Sequence, residues 1–156
     1  MKKNLIYLSI IFITLISGCK DNDDTPVDIN LNDQQKAAVS LRGRWGIPED
    51  ISMPAGTTPT VLDDLVLVFR ITDQYTPSDF RAEGAEYFFA TTPTSKWEWT
   101  DNTINSVKLL NTLPTGSVSV IKEGSKIRLT FTYIGEEGGR MGGVGEYSVT
   151  LTKVQP

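Results

Sequence analysis

Lys126-Ile127-Arg128-Leu129-Thr130-Phe131-Thr132-Tyr133-Ile134 carries the plainest alternation in the chain. Ile127, Leu129, Phe131 and Tyr133 share one side, and Arg128, Thr130 and Thr132 share the other. A period of two is that of a β-strand with one buried face. Ser117-Val118-Ser119-Val120-Ile121 precedes it, and Glu123-Gly124 supplies a hairpin turn between the two. After it, Glu146 to Val154 sets Tyr147, Val149 and Leu151 against Ser148, Thr150 and Thr152. Three consecutive antiparallel strands are therefore written into the last third of the chain.

Further strands emerge on working back toward the N-terminus. Ile104 to Leu110 places Val107 and Leu109 opposite Lys108, with a turn at Pro114 to Gly116. In Lys96-Trp97-Glu98-Trp99-Thr100 the two tryptophans face together, and Asp101-Asn102 makes the turn. Glu86-Tyr87-Phe88-Phe89 reads equally as a helical turn or a strand, and Pro93 is expected to limit it. Val61 to Thr72 is near-continuously apolar and β-branched, which predicts a strand partly covered on both faces. A short strand from Tyr75, interrupted by Pro77, resumes near Phe80 and Ala82. Ser40 to Ile47 is the first strand, with Leu41, Gly43, Trp45 and Ile47 on one side; Pro48, Pro54, Gly56 and Pro59 make the next segment a loop. Before it, Asn32 to Val39 predicts a short helix capped by Asn32 with Gln35 at its third position, placed to plug or flank one end of a sheet.

About eight strands joined by short turns, with no βαβ rhythm and no fixed-period repeat, define an all-β fold. A small antiparallel barrel and a two-sheet β-sandwich satisfy the same alternation. The strand count favours the barrel, because eight strands can close without leaving an edge.

The N-terminus has a different character. Lys2 and Lys3 precede an apolar run from Leu5 to Ile16, followed by the small residues Ser17 and Gly18 and then Cys19, the single cysteine. As a helix the run would span about 18 Å at ~1.5 Å per residue, short of a ~30 Å hydrocarbon core. It reads as a signal peptide over residues 1–18 in preference to a permanent transmembrane helix. Ile16-Ser17-Gly18-Cys19 resembles the lipobox of bacterial lipoproteins, which implies cleavage before Cys19 and acylation of its sulfur. Lys20-Asp21-Asn22-Asp23-Asp24 resembles the acidic signal after the lipidated cysteine in lipoproteins of Bacteroidota. That resemblance implies the outer membrane and display at the cell surface, with the periplasmic face as the alternative. Residues 19–31 read as a flexible acidic tether, and residues 32–156 as one β domain.

Composition narrows the function. The chain holds 15 Lys and Arg against 19 Asp and Glu, and loss of Lys2 and Lys3 takes the net charge from −4 to −6. An acidic chain without a basic, aromatic-interleaved run argues against nucleic acid as a partner. With no histidine and its one thiol assigned to an anchor, it lacks the usual general base and most zinc sites. Asp63-Asp64 and Glu136-Glu137 are adjacent acidic pairs; neighbours on a strand point oppositely, so neither is itself a glycosidase dyad. The glycine-rich stretch Gly135 to Gly143 lacks a Lys-Ser/Thr ending and precedes a strand, so it reads as a hairpin loop and not a phosphate loop. The expectation is a non-catalytic chain with no cofactor and no metal site.

Gly43-Arg44-Trp45, the tryptophan-bearing strand Lys96–Thr100 and the closing hairpin Ser117–Ile134 with its final tyrosine-containing strand occur in an order that is similar to the lipocalin-like lipoprotein domains of Bacteroidota. The resemblance covers roughly residues 32–154 and implies a ligand-binding barrel. The second lipocalin signature and the C-terminal helix are not evident. Trp45, Trp97 and Trp99 are the candidate ligand-binding residues, although alternating strand aromatics also serve as core. Expected partners are the membrane, through Cys19, and a small apolar molecule, a glycan or a surface protein. The function expected is that of a cell-envelope binding or structural module; the alternatives are a β-sandwich accessory component of a glycan- or protein-binding complex, and a carboxylate-based hydrolase.

Overall fold

A computed structural model of the chain describes residues 30–135 and 143–154. The expected signal, Cys19, almost all of the tether, the Glu136-Glu137 pair and most of the glycine-rich loop lie outside the described residues. One helix, α1 (Asp33–Leu41), is followed by eight strands: β1 (Gly43–Ser52), β2 (Val66–Ile71), β3 (Pro77–Glu83), β4 (Phe89–Trp99), β5 (Ser106–Pro114), β6 (Ser117–Glu123), β7 (Lys126–Tyr133) and β8 (Gly145–Val154). Each strand pairs antiparallel with the next, and β8 returns to pair with β1. The fold is a closed eight-stranded up-and-down barrel, the small lipocalin-like barrel expected. Closure rules out the two-sheet sandwich, since no pair of unpaired edges separates two sheets. Among the described residues no helix is long and apolar enough to cross a membrane.

The alternation in β7 and β8 translates directly into packing. Ile127, Leu129, Phe131 and Tyr133 point inward and are buried, as are Tyr147, Val149 and Leu151. Their rings join a chain of aromatic contacts: Phe131 stacks on Tyr147 with centroids 5.2 Å apart and planes 6° from parallel. Phe88 meets Tyr147 at 4.7 Å and Tyr133 at 5.3 Å. Phe69 joins Phe80 at 5.2 Å and Trp97 at 5.4 Å. Such pairs each add about 0.5–1.5 kcal/mol beyond area burial. The end where β1 finishes is held by polar tips: the Tyr133 hydroxyl donates to Tyr87 Oη at 2.7 Å, and the Tyr147 hydroxyl donates to the Gly143 carbonyl at 2.6 Å. Gly84 permits the turn leaving β3 there, with φ 74°; a Cβ would sit 2.0 Å from the Asp64 carbonyl oxygen.

Several element boundaries differ from those the sequence predicts. Ser40 and Leu41 end the helix and do not begin β1. The helix propagates past Val39 because the Arg42 N–H still bonds the Ala38 carbonyl. β1 does not stop at Pro48 but continues to Ser52 through two register shifts, with Ile47 and Asp50 at φ 56° and 48°. These irregularities turn Ile47 outward, 65% exposed, off the face it was expected to share with Trp45. β2 begins only at Val66, because Val61 to Asp64 forms turns that tuck Leu62 inward. β4 runs through Pro93 from Phe89, with a register shift between Thr91 and Lys96 absorbing the proline.

Two substitutions test this packing by urea unfolding. Trp45→Ala should cost about 3–5 kcal/mol as a large buried ring is lost. Ile47→Asn should stabilise by about 1 kcal/mol, because a β-branched residue gives way to one that tolerates the left-handed region. A loss of stability in the second variant would show that Ile47 is not strained.

Candidate functional site

The three tryptophans end up in three different environments. Trp45 is fully buried, and its indole Nε1 donates to the Leu41 carbonyl at 2.8 Å, tying β1 to the last turn of α1. Lys153 lies over its ring, Nζ 5.4 Å from the centroid. The glycine of the Gly43-Arg44-Trp45 stretch is needed for this overlay. Gly43 has φ 131°, and a Cβ there would meet Lys153 Cε at 2.8 Å. Withdrawal from water, then the charges of Lys122 and Arg42, hold the Lys153 amine below the usual lysine range. Trp97 is 2% exposed and donates from Nε1 to the Arg70 carbonyl at 2.7 Å. Both rings are core, closed off from solvent.

Trp99 differs. It ends β4 half-buried, edge-on to Trp97 with centroids 5.2 Å apart. Its Nε1 is shielded from water and has no hydrogen-bond partner among the described residues. Leaving such a donor unpaired costs roughly 1–3 kcal/mol. The ring lines a recess of about 470 Å³ between α1 and the ends of β4 and β6.

The walls of this recess are set by local sequence. Asn32 and Gln35 form the predicted capping box: Asn32 Oδ1 accepts from the Gln35 N–H at 2.9 Å, and Gln35 Oε1 accepts from the Asn32 N–H at 3.0 Å. Gln35 Nε2 also donates to the Gln74 carbonyl at 2.9 Å, pinning α1 to the β2–β3 turn. That pin sets Ala37, Ser40 and Leu41 along one wall. Opposite them stand Ile104, from the turn after β4, with Val120 and Ile121 at the end of β6. Ile104 and Ile121 are 44% and 48% exposed, so two of the few large exposed aliphatics among the described residues meet at one recess. Asp33, Lys36, Asn105 and Lys122 bring polar groups to the same lining. Asp33 and Lys36 pair at 3.7 Å, both exposed.

The recess thus offers an apolar lining with polar groups of both signs. That combination suits a molecule with an apolar body and a polar portion. The Ser40 hydroxyl, the one hydroxyl among the described residues that line it, donates to the Ala37 carbonyl at 2.9 Å. Asp63 and Asp64 lie exposed in the turn before β2, away from this site. Sequence reasoning named Trp99 but missed Ile104, Ile121 and the helix wall, because these converge only once α1 docks across the barrel end.

Neither protein-family models nor curated proteins match the chain in sequence, so the site is argued from its geometry. Acrylamide quenching of tryptophan fluorescence gives a direct check. Trp99→Phe should abolish the quenchable fraction and leave stability unchanged or raised by about 1 kcal/mol, since an unpaired donor is removed. Quenching that persists in this variant would mean that Trp45 or Trp97 is reachable.

Proposed function

We propose that the chain is a lipid-anchored, non-catalytic binding protein of the cell envelope whose barrel presents the Trp99 recess to a small amphipathic ligand. The observation that carries this reading is the solvent-open recess lined by the half-buried Trp99 ring and by the exposed Ile104 and Ile121. A concave, largely apolar recess with a few polar groups is the usual form of a small-molecule site. The inward positions of the barrel are taken by buried rings and aliphatic side chains, so a ligand is met at the end of the barrel and not in a deep cavity. The ligand class is set by the lining: an apolar portion to lie between Ile104, Ile121 and Leu41, and a polar portion to meet Lys36, Asn105 and Lys122.

The anchor rests on the apolar run ending at Ser17-Gly18-Cys19, and outward display on the acidic residues after it. Two acyl chains at Cys19 would hold the protein to the membrane stably. The resemblance to lipocalin-like lipoproteins of Bacteroidota joins both halves of the reading.

Two experiments address the two halves. For the anchor, intact-mass measurement of the mature protein should show an N-terminal acylated Cys19, and protease added to whole cells should digest the barrel. An unmodified thiol would remove the anchor, and protection from protease would move the protein to the periplasmic face. For the ligand, octyl glucoside below its micellar concentration should shift the tryptophan fluorescence, whereas glucose should not. The response should vanish in Trp99→Phe; an equal response in that variant would contradict the site.

A further inference from the structure

A second recess, which Trp99 does not line, runs from the outer face of β1, β2 and β3 to the strand ends, where Arg42 and Lys153 complete it, with a volume of about 760 Å³. Strand register builds it. Val154, Arg44, Val68 and Arg81 are direct neighbours across the four strands, so their side chains form one row. At ~4.8 Å per strand, Arg44 and Arg81 stand about 10 Å apart with Val68 between them. Arg42, Arg70 and Lys153 add three more cations to the lining, and Glu83 is its single carboxylate among the described residues. Five positive groups against one negative is the reverse of the chain's balance of 15 to 19.

The state of each cation indicates what is missing. Arg44 holds Glu83 in a two-pronged grip, Nη1 to Oε1 at 2.9 Å and Nη2 to Oε2 at 2.7 Å. This hydrogen-bonded pairing raises the Arg44 pKa and lowers that of Glu83. Arg81 is fixed by the carbonyls of Thr92 and Pro93, which orient its guanidinium without neutralising it. Arg42 and Arg70 make no side-chain hydrogen bond or ion pair among the described residues. Lys153 sits within the fields of Arg42 and Lys122, both of its own sign. The recess gathers four arginines and a lysine around one carboxylate, which Arg44 already holds.

We propose that this outer-face groove binds a linear acidic polysaccharide, whose spaced carboxylates pair with the arginine row while its sugar rings lie on Val68 and Val154. Guanidinium forks match carboxylates bidentately, as Arg44 does with Glu83. The cations are strung across four strands, which suits a polymer with repeated charges better than one isolated anion. The lining has no exposed ring among the described residues on which a base could stack; Phe69, its one aromatic, is fully buried. A concave groove with half-buried valines at its centre suits a single extended chain better than a flat lipid surface. Glu83 then acts as an internal competitor that the polymer displaces.

The test is retention of the full chain on immobilised polygalacturonate at low and high salt, with unsubstituted dextran, poly-glutamate and phosphatidylglycerol vesicles alongside. The expected result is salt-sensitive binding to polygalacturonate alone. Arg42→Ser and Arg70→Ser, which break no side-chain hydrogen bond or ion pair within the described residues, should each weaken it roughly fivefold, and Glu83→Gln should tighten it by about the same factor. Trp99→Phe should bind as the parent does, which separates this groove from the end recess. Absence of binding, indifference to all three groove substitutions, or equal affinity for poly-glutamate or the vesicles would overturn the proposal.

Discussion

The pairing of β8 with β1 constrains everything else in the described chain. Once those strands join, no edge is left over and the interior has a fixed size. Eight strands enclose a space that side chains can fill or that a single small ligand can occupy. In this chain the choice goes to filling, because the inward positions carry Trp45, Phe69, Phe80, Phe88, Phe89, Trp97, Phe131 and Tyr147, each nearly or fully buried. α1 completes the arrangement at one end, where the Trp45 indole bonds the Leu41 carbonyl. At the other end the hydroxyls of Tyr133 and Tyr147 are satisfied within the protein.

A filled interior displaces recognition to the ends and the outer wall. At the α1 end, the last residue of β4 is a tryptophan that closure can only half cover, and its N–H is left without a partner among the described residues. On the outer wall, antiparallel register turns residues far apart in sequence into a charged row. The same geometry that removes edges thus creates both surfaces: one apolar with polar groups of both signs, the other cationic with an apolar floor.

The parts of this organisation that were legible in the sequence are those governed by local rules. The alternation in β6, β7 and β8, the Asn32–Gln35 capping box and the strand count each depend on residues a few positions apart. Tertiary packing decided the rest. The left-handed Ile47 and Asp50, neither of them a glycine, bulge β1, and Pro93 is absorbed by a register shift on β4. Leu62 was readable as apolar, but not as the residue that turns inward ahead of β2. The composition of Trp99's surroundings depends on where α1 comes to rest. The cationic lining was hidden because residues 42, 44, 70, 81 and 153 meet only once the strands that carry or follow them have paired. A mean charge of the opposite sign concealed it further.

Closure is most directly tested at its seam, where β1 pairs with β8 through two register shifts and would open first if the barrel were a curled sheet. Native-state amide hydrogen exchange, followed residue by residue across denaturant, measures this. In a closed barrel the slowest amides of the Trp45–Lys153 and Gly46–Thr152 region should exchange only through global unfolding, with the same free energy as those around Leu129 in β7. Seam amides that exchange by a cheaper local opening, while β7 remains protected, would contradict closure.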